Sequence, residues 1–240
     1  MQKKNHPPPD AGLLEEHHPK QDFQVERIAF FSDAVFAIAL TLLIIEFHPP
    51  HIGKESTYAE VWHEVKEMKF KFAALVLSFA LIVGYWMRHH LLFRHIHNYN
   101  KAIIIANMAI LLPIIFFPFT TSFLYESLNG NVEAVVIPYR LFMLNNILAG
   151  AFTWWFYRLV IKKYKAFSYP MKQEEERDFS IKIIASTISF LLVFIISFYS
   201  FKYSAWGLIP FGAYQLYKKY SKKIKKIPAA YVKQTGGSGH

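Results

Sequence analysis

The sequence predicts an all-α, polytopic membrane protein with six transmembrane helices. Two observations carry that class. Of the 240 residues, 53% are hydrophobic and only 18% charged, against about 45–50% and about 25% in a typical soluble domain. The apolar residues also come in long runs separated by short charged stretches, as in chains that cross a bilayer repeatedly. No segment is left over for a separate soluble core.

Each run is justified by its length, since about 20 residues at about 1.5 Å each cross a hydrocarbon core. The first runs from Arg27 to Phe47, the second from Phe70 to Phe93 and the third from Ala102 to Tyr125. The fourth runs from Ala134 to Val160 and the fifth from Phe179 to Phe201. The last, Ala205 to Leu216, is short and reaches Tyr220 only when stretched. Residues 1–26 are polar and Pro-rich without an apolar h-region, so they read as a disordered cytoplasmic N-terminus rather than a signal peptide. Residues 27–220 form the membrane domain. Residues 221–240 form a basic cytoplasmic tail ending in GGSGH, which looks like a linker remnant.

The absence of cysteine removes disulfide frameworks, thiolate metal sites and Cys nucleophiles. The net charge of +10 does not point to nucleic acid. The positive residues cluster at the ends of apolar runs, where orientation and contact with membrane lipids account for them. Arg88, Arg94 and Lys101 lie between runs two and three; Lys162, Lys163, Lys165, Lys172 and Arg177 lie between four and five; six lysines at 218–226 follow run six. Residues 126–139 hold Glu126 and Glu133 but no Lys or Arg. This alternation of basic loops places both termini in the cytoplasm.

The first run, RIAFFSDAVFAIALTLLIIEF, is the unusual one. Asp33 is an acid about 9 Å inside a membrane helix, where it needs a partner. Ala34, Thr41, Leu42 and Ile45 fall within about 60° of Ile38 around the helix, and Asp33 about 140° away. One face is therefore aliphatic with a single hydroxyl, and the other carries the acid. With Asp33 turned into its own bundle, the Ile38 face meets lipid or a second subunit. Trp86, His89, His90 and Asn107 lie at a similar depth, and a cluster of Ser32, Asp33, a histidine, Trp86 and Asn107 would satisfy each buried polar group.

These residues resemble the endosomal and lysosomal potassium channels and their prokaryotic homologues. The R-x-x-x-F-S-D pattern at the start of the first helix falls on Arg27, Phe31, Ser32 and Asp33. The W-x-x-H of the second helix falls on Trp86 and His89, and the following Phe on Phe93. The third-helix Asn falls on Asn107, and P-F-T on Pro118, Phe119 and Thr120. The likeness is strong across residues 27–125 and only topological beyond. It implies a homotetramer whose first helices surround a central pore. No TVGYG filter is present, and a hydrophobic constriction at Ile38, followed by Leu42 and Ile45, takes its place. Thr41 matches a hydroxyl position linked to selectivity. The resemblance further implies modest preference for K+ over Na+, K+ as the permeant ion in the pore, no structural metal and no cofactor, and a location in a bacterial inner membrane. Arg27, Phe31, Ser32, Asp33, Trp86, His89 and Asn107 are then the signature and its structural hydrogen-bond network, with Arg27, Ser32 and Asp33 the anchor that holds the helix in its subunit, although Arg27 falls near the pore side at the cytoplasmic mouth; His89 takes the histidine position.

Several residues carry a plainer reading beside this one. The Ile38 face is, without the resemblance, an ordinary lipid-facing or packing stripe. His89 and His90 could be metal ligands or a proton relay, but neighbours on a helix point about 100° apart, which favours a structural hydrogen bond. Val83–Trp86 looks like part of a potassium filter, yet lies mid-helix without the Thr or second Gly. Arg140, Asn145 and Asn146 read as helix–helix hydrogen bonding. Glu46 either attracts cations to the outer mouth or merely ends its helix in solvent. The alternative function is a proton-coupled secondary transporter using Asp33 and His89. A membrane enzyme is a third class, without an HExxH or GxSxG motif to support it.

Overall fold

The structure is a computed structural model that describes residues 19–49, 52–128 and 131–225. It is helical throughout, apart from an isolated antiparallel bridge between Ile96 and Ser168. The helices are α1 (Pro19–Ile45), α2 (Tyr58–Glu67), α3 (Lys69–Phe93), α4 (Lys101–Ser127), α5 (Val132–Tyr157), α6 (Gln173–Tyr199) and α7 (Ile209–Lys225). A π-helical turn, Arg158–Lys163, ends α5, and a 3-10 turn, Ser204–Leu208, leads into α7.

Among the described residues, five helices are long and apolar enough to cross a membrane: Phe23–Ile45, Tyr58–Phe93, Lys101–Ser127, Val132–Lys163 and Gln173–Tyr199. They correspond to the first five expected spans. The sixth differs from expectation. Residues 205–220 divide between the 3-10 turn and an amphipathic α7, because lysines enter the helix after Tyr217 and dilute its apolar run. This segment turns back along α6. A methyl on Gly207 would strike the Val193 backbone nitrogen, Phe211 N–H donates to Ser189 Oγ at 3.1 Å, and Tyr214 OH donates to Asp178 at 2.7 Å. Lys218 pairs with the same Asp178. From Val193 to Asp178 the segment follows α6 over 15 residues, about 22 Å.

The N-terminal boundary is corrected. Residues 19–26, expected to be disordered, form the first turns of α1. Pro19 has the fixed φ that a first helical turn accepts, and Val25, 6% exposed, packs with Leu92, Ile96 and Ile103. Residues 1–18 and the tail beyond 225, with its GGSGH remnant, lie outside the described residues. The helix α2, read from sequence as loop, begins at a capping box: Glu60 N–H donates to the Thr57 hydroxyl and Thr57 N–H to the Glu60 carboxylate.

The core has two apolar layers. One, with Val25, Leu92, Ile103, Phe156 and Ile183, lies at the end bearing the basic loops. The other, with Phe36, Leu43, Ile82, Ile114 and Phe142, lies above it. The loop after α3 is held to the loop after α5 by Tyr169 N–H donating to His95 O at 2.7 Å and His97 N–H to Phe167 O at 3.1 Å.

Candidate functional site: the two faces of the first helix

Helix α1 separates its side chains sharply. Ser32, Phe36, Ala39 and Leu43 are at most 2% exposed and lie within one sector about 60° wide. On the opposite side Ile38 is 57% and Ile45 64% exposed. Thr41 is exposed and Leu42 half-buried. In the most apolar stretch of α1 only 22% is buried, against 50% for α4. The helix is therefore attached by one side, and the side carrying Ile38, Thr41 and Ile45 is left exposed among the described residues.

The attachment is polar where α1 meets α3 and α4. His89, 1% exposed, contacts Asn107 Oδ1 through Nε2 at 2.7 Å. An amide oxygen only accepts, so this ring nitrogen carries the proton. Asn107 Nδ2 donates to Ser32 Oγ at 2.9 Å, and the Ser32 hydroxyl donates to its own helix at Ile28 O, also 2.9 Å. The chain ends there. The His89 ring is enclosed by Phe36, Phe93 and Phe156, with ring centroids 4.5–6.1 Å away, and its buried Nδ1 has no hydrogen-bond partner.

Asp33 is held separately. Trp86 Nε1–H donates to its carboxylate at 2.9 Å. The expected cluster thus exists as two parts: Ser32–Asn107–His89 in the buried layer and Asp33–Trp86 at its edge. Asp33 stands about 100° around the helix from Ser32, which separates them. His90 turns away from the buried network, its ring 5.7 Å from that of Trp86. Among the described residues no group of three or more His, Cys, Asp or Glu side chains could hold a metal ion.

The remaining signature residues do not join this network. Phe31 is 53% exposed. Arg27 is exposed, forms no hydrogen bond or ion pair with a described residue, and lines a shallow cavity of about 310 Å³ with Gln24, Phe31 and Tyr99. At the other end of α1 the Glu46 carbonyl accepts from Tyr125 OH, while its carboxylate makes no hydrogen bond with a described residue. Arg140, Asn145 and Asn146 act between or within helices. Arg140 donates to Ser197 O at 2.7 Å, Asn145 to Pro113 O at 3.0 Å and Asn146 to Phe142 O at 2.9 Å. Sequence reasoning missed Thr121 and Ser78, whose hydroxyls bond at 2.8 Å between α4 and α3. Their only signal was a hydroxyl on each of two apolar runs.

The sequence profile of the endosomal/lysosomal potassium channel TMEM175 matches residues 27–118, the stretch that forms α1, α3 and most of α4. A potassium channel of Streptomyces collinus is 34% identical over 133 residues, covering 54% of this chain and 62% of that protein. One from Chamaesiphon minutus is 34% identical over 116 residues, covering 46% and 53%. The endosomal/lysosomal proton channel TMEM175 of Danio rerio is 28% identical over 137 residues, covering 54% and 26%. The chain therefore spans less than two thirds of the curated relatives it matches. Among solved structures, a lysosomal potassium-selective channel TMEM175 homolog from Chamaesiphon minutus superposes with a TM-score of 0.67 at 21% identity, covering 82% of this chain and 98% of that one. A variant of the MtTMEM175 potassium channel does so with a TM-score of 0.55 at 19% identity, covering 82% and 93%. These two share the fold. The match over residues 27–118 makes the first half of the chain similar to the TMEM175 channels, its bacterial relatives are similar over about half of its length, and the solved structures share its fold.

Proposed function

We propose that this protein is a passive, potassium-preferring cation channel, formed as a homotetramer whose α1 helices line a central pore. The carrying observation is the unpartnered face of α1. It is continuous, aliphatic and backed by a helix side fixed through buried contacts, so it is rigid enough to define a bore. Ile38, Leu42 and Ile45 form the hydrophobic constriction and gate by dewetting. Thr41 donates its hydroxyl proton to Ile38 O at 2.8 Å, which leaves its oxygen lone pairs available to a passing cation. That suits a role in selectivity. K+ is the permeant ion and no cofactor is required. The relatives named as potassium channels support the ion.

The reading includes a sixth crossing by 204–220, because that segment returns along α6 to Asp178. Both termini then lie in the cytoplasm and the chain sits in the bacterial inner membrane. A proton-coupled transporter is disfavoured by the same geometry. Asp33 and His89 are not on one hydrogen-bonded chain, an amide does not relay protons, and α1 has no internal Gly or Pro to break it into half-helices.

The test is electrical. Purified protein in planar bilayers should pass K+ at rates beyond an alternating-access cycle, and Ile38→Asn should raise flux or relax K+/Na+ preference. Slow, saturable, pH-driven uptake instead would overturn the channel. Particles in detergent should show a four-fold axis with α1 around it.

A further inference from the structure

On the unpartnered face of α1, Arg27 lies within about 20° of Ile38 and about 16 Å along the helix toward the cytoplasmic end. Its guanidinium is exposed and pairs with no acid among the described residues. Glu26, the adjacent acid, is turned about 100° away and lines a different cavity, of about 500 Å³, with Asp33, His90 and Arg94. Among the described residues, therefore, no carboxylate neutralises Arg27 on its own face. Between Arg27 and Ile38 that face presents only Phe31 and Ala34, both exposed and uncharged.

We propose that Arg27 forms a ring of positive charge at the cytoplasmic mouth of the pore and limits cation entry from that side. This rests on the pore reading above. A cation leaving the cytoplasm meets the ring before the constriction, whereas one entering from outside meets it only after passing. The ring therefore depresses outward current more than inward current. Taking about 8 Å as the ring radius for scale, four such charges in water would deplete a monovalent cation about fourfold at 0.15 M salt, about fifteenfold at 0.01 M and about 1.3-fold at 1 M. Salt dependence is the signature that a packing role for the side chain would not produce.

The experiment uses the full chain in excised membrane patches, where orientation is fixed, in symmetric KCl from 0.01 to 1 M. The wild-type outward-to-inward current ratio should be below one at low salt and approach one at 1 M. Arg27→Gln should raise outward current several-fold at low salt and flatten that dependence; Arg27→Lys should keep it. A wild-type ratio independent of salt overturns the proposal without any variant, as does wild-type rectification in Arg27→Gln. Ile38→Asn, measured alongside, separates the two readings. If it alters the currents while the Arg27 result fails, only the ring falls; if neither substitution changes them, the pore assignment falls as well.

Discussion

At the scale of single residues, Asn107 does the most with one side chain. It accepts from His89, donates to Ser32, and so joins α4 to both α3 and α1. All three groups are fully buried, and an orphaned buried donor costs about 1–3 kcal/mol. Asn107→Leu is therefore expected to lower stability by roughly that amount, read as an earlier midpoint in detergent denaturation, while leaving the exposed face of α1 chemically intact. Unchanged stability would mean that His89 finds another acceptor. In the proposed channel Glu46 would act at the outer mouth by charge alone, since its carboxylate is unpaired among the described residues. At low salt Glu46→Gln should reduce K+ conductance, and at high salt the difference should vanish as the Debye length shortens; equal conductance at both would remove the outer-mouth role. The need of Asp33 for a partner could be read from the sequence, and Trp86 was among the partners named. Its separation from Ser32 and His89 could not, because residue spacing gives depth along each helix but not how neighbouring helices are rotated against one another.

At the scale of elements, the division of α1 into a buried and an exposed side followed from periodicity alone, and exposure agrees with it at Ile38, Thr41 and Ile45. What covers the exposed side was never in that pattern. Helix α2 was missed although Thr57 and Glu60 spell a capping box; a mixed-charge loop masked it. The final segment was hard to read for a different reason. Its apolar run is cut short by lysines, and one of them, Lys218, is used to pair with Asp178 on α6. The charge that lowers the hydropathy is thus the charge that ties the segment down. A sixth crossing makes a direct prediction, helped by the absence of native cysteine. A single cysteine at Lys219 should react with membrane-impermeant reagent from the same side as one at Lys165, and from the opposite side to one at Glu133. Labelling of Lys219→Cys and Glu133→Cys from one side would leave five crossings.

At the scale of the whole molecule, α1 and α3 together present an unpaired apolar surface. Phe79, Val76 and Ile44 beside that surface are each about half exposed. The basic loops at one end are also joined to each other, through Ile96, His97, Phe167 and Tyr169, so that end is stiffened independently of the helices. The aliphatic face of α1 has one more consequence, which concerns the order of events rather than the pathway. A newly inserted subunit has no companions, and on the proposed pore reading the face that meets the ion must first face acyl chains. A lining of polar carbonyls would be expensive in that company, while isoleucine and leucine rest there at no cost. On that reading, the side chains that repel water in the bore are the ones that let each subunit insert and fold alone, and assembly can wait.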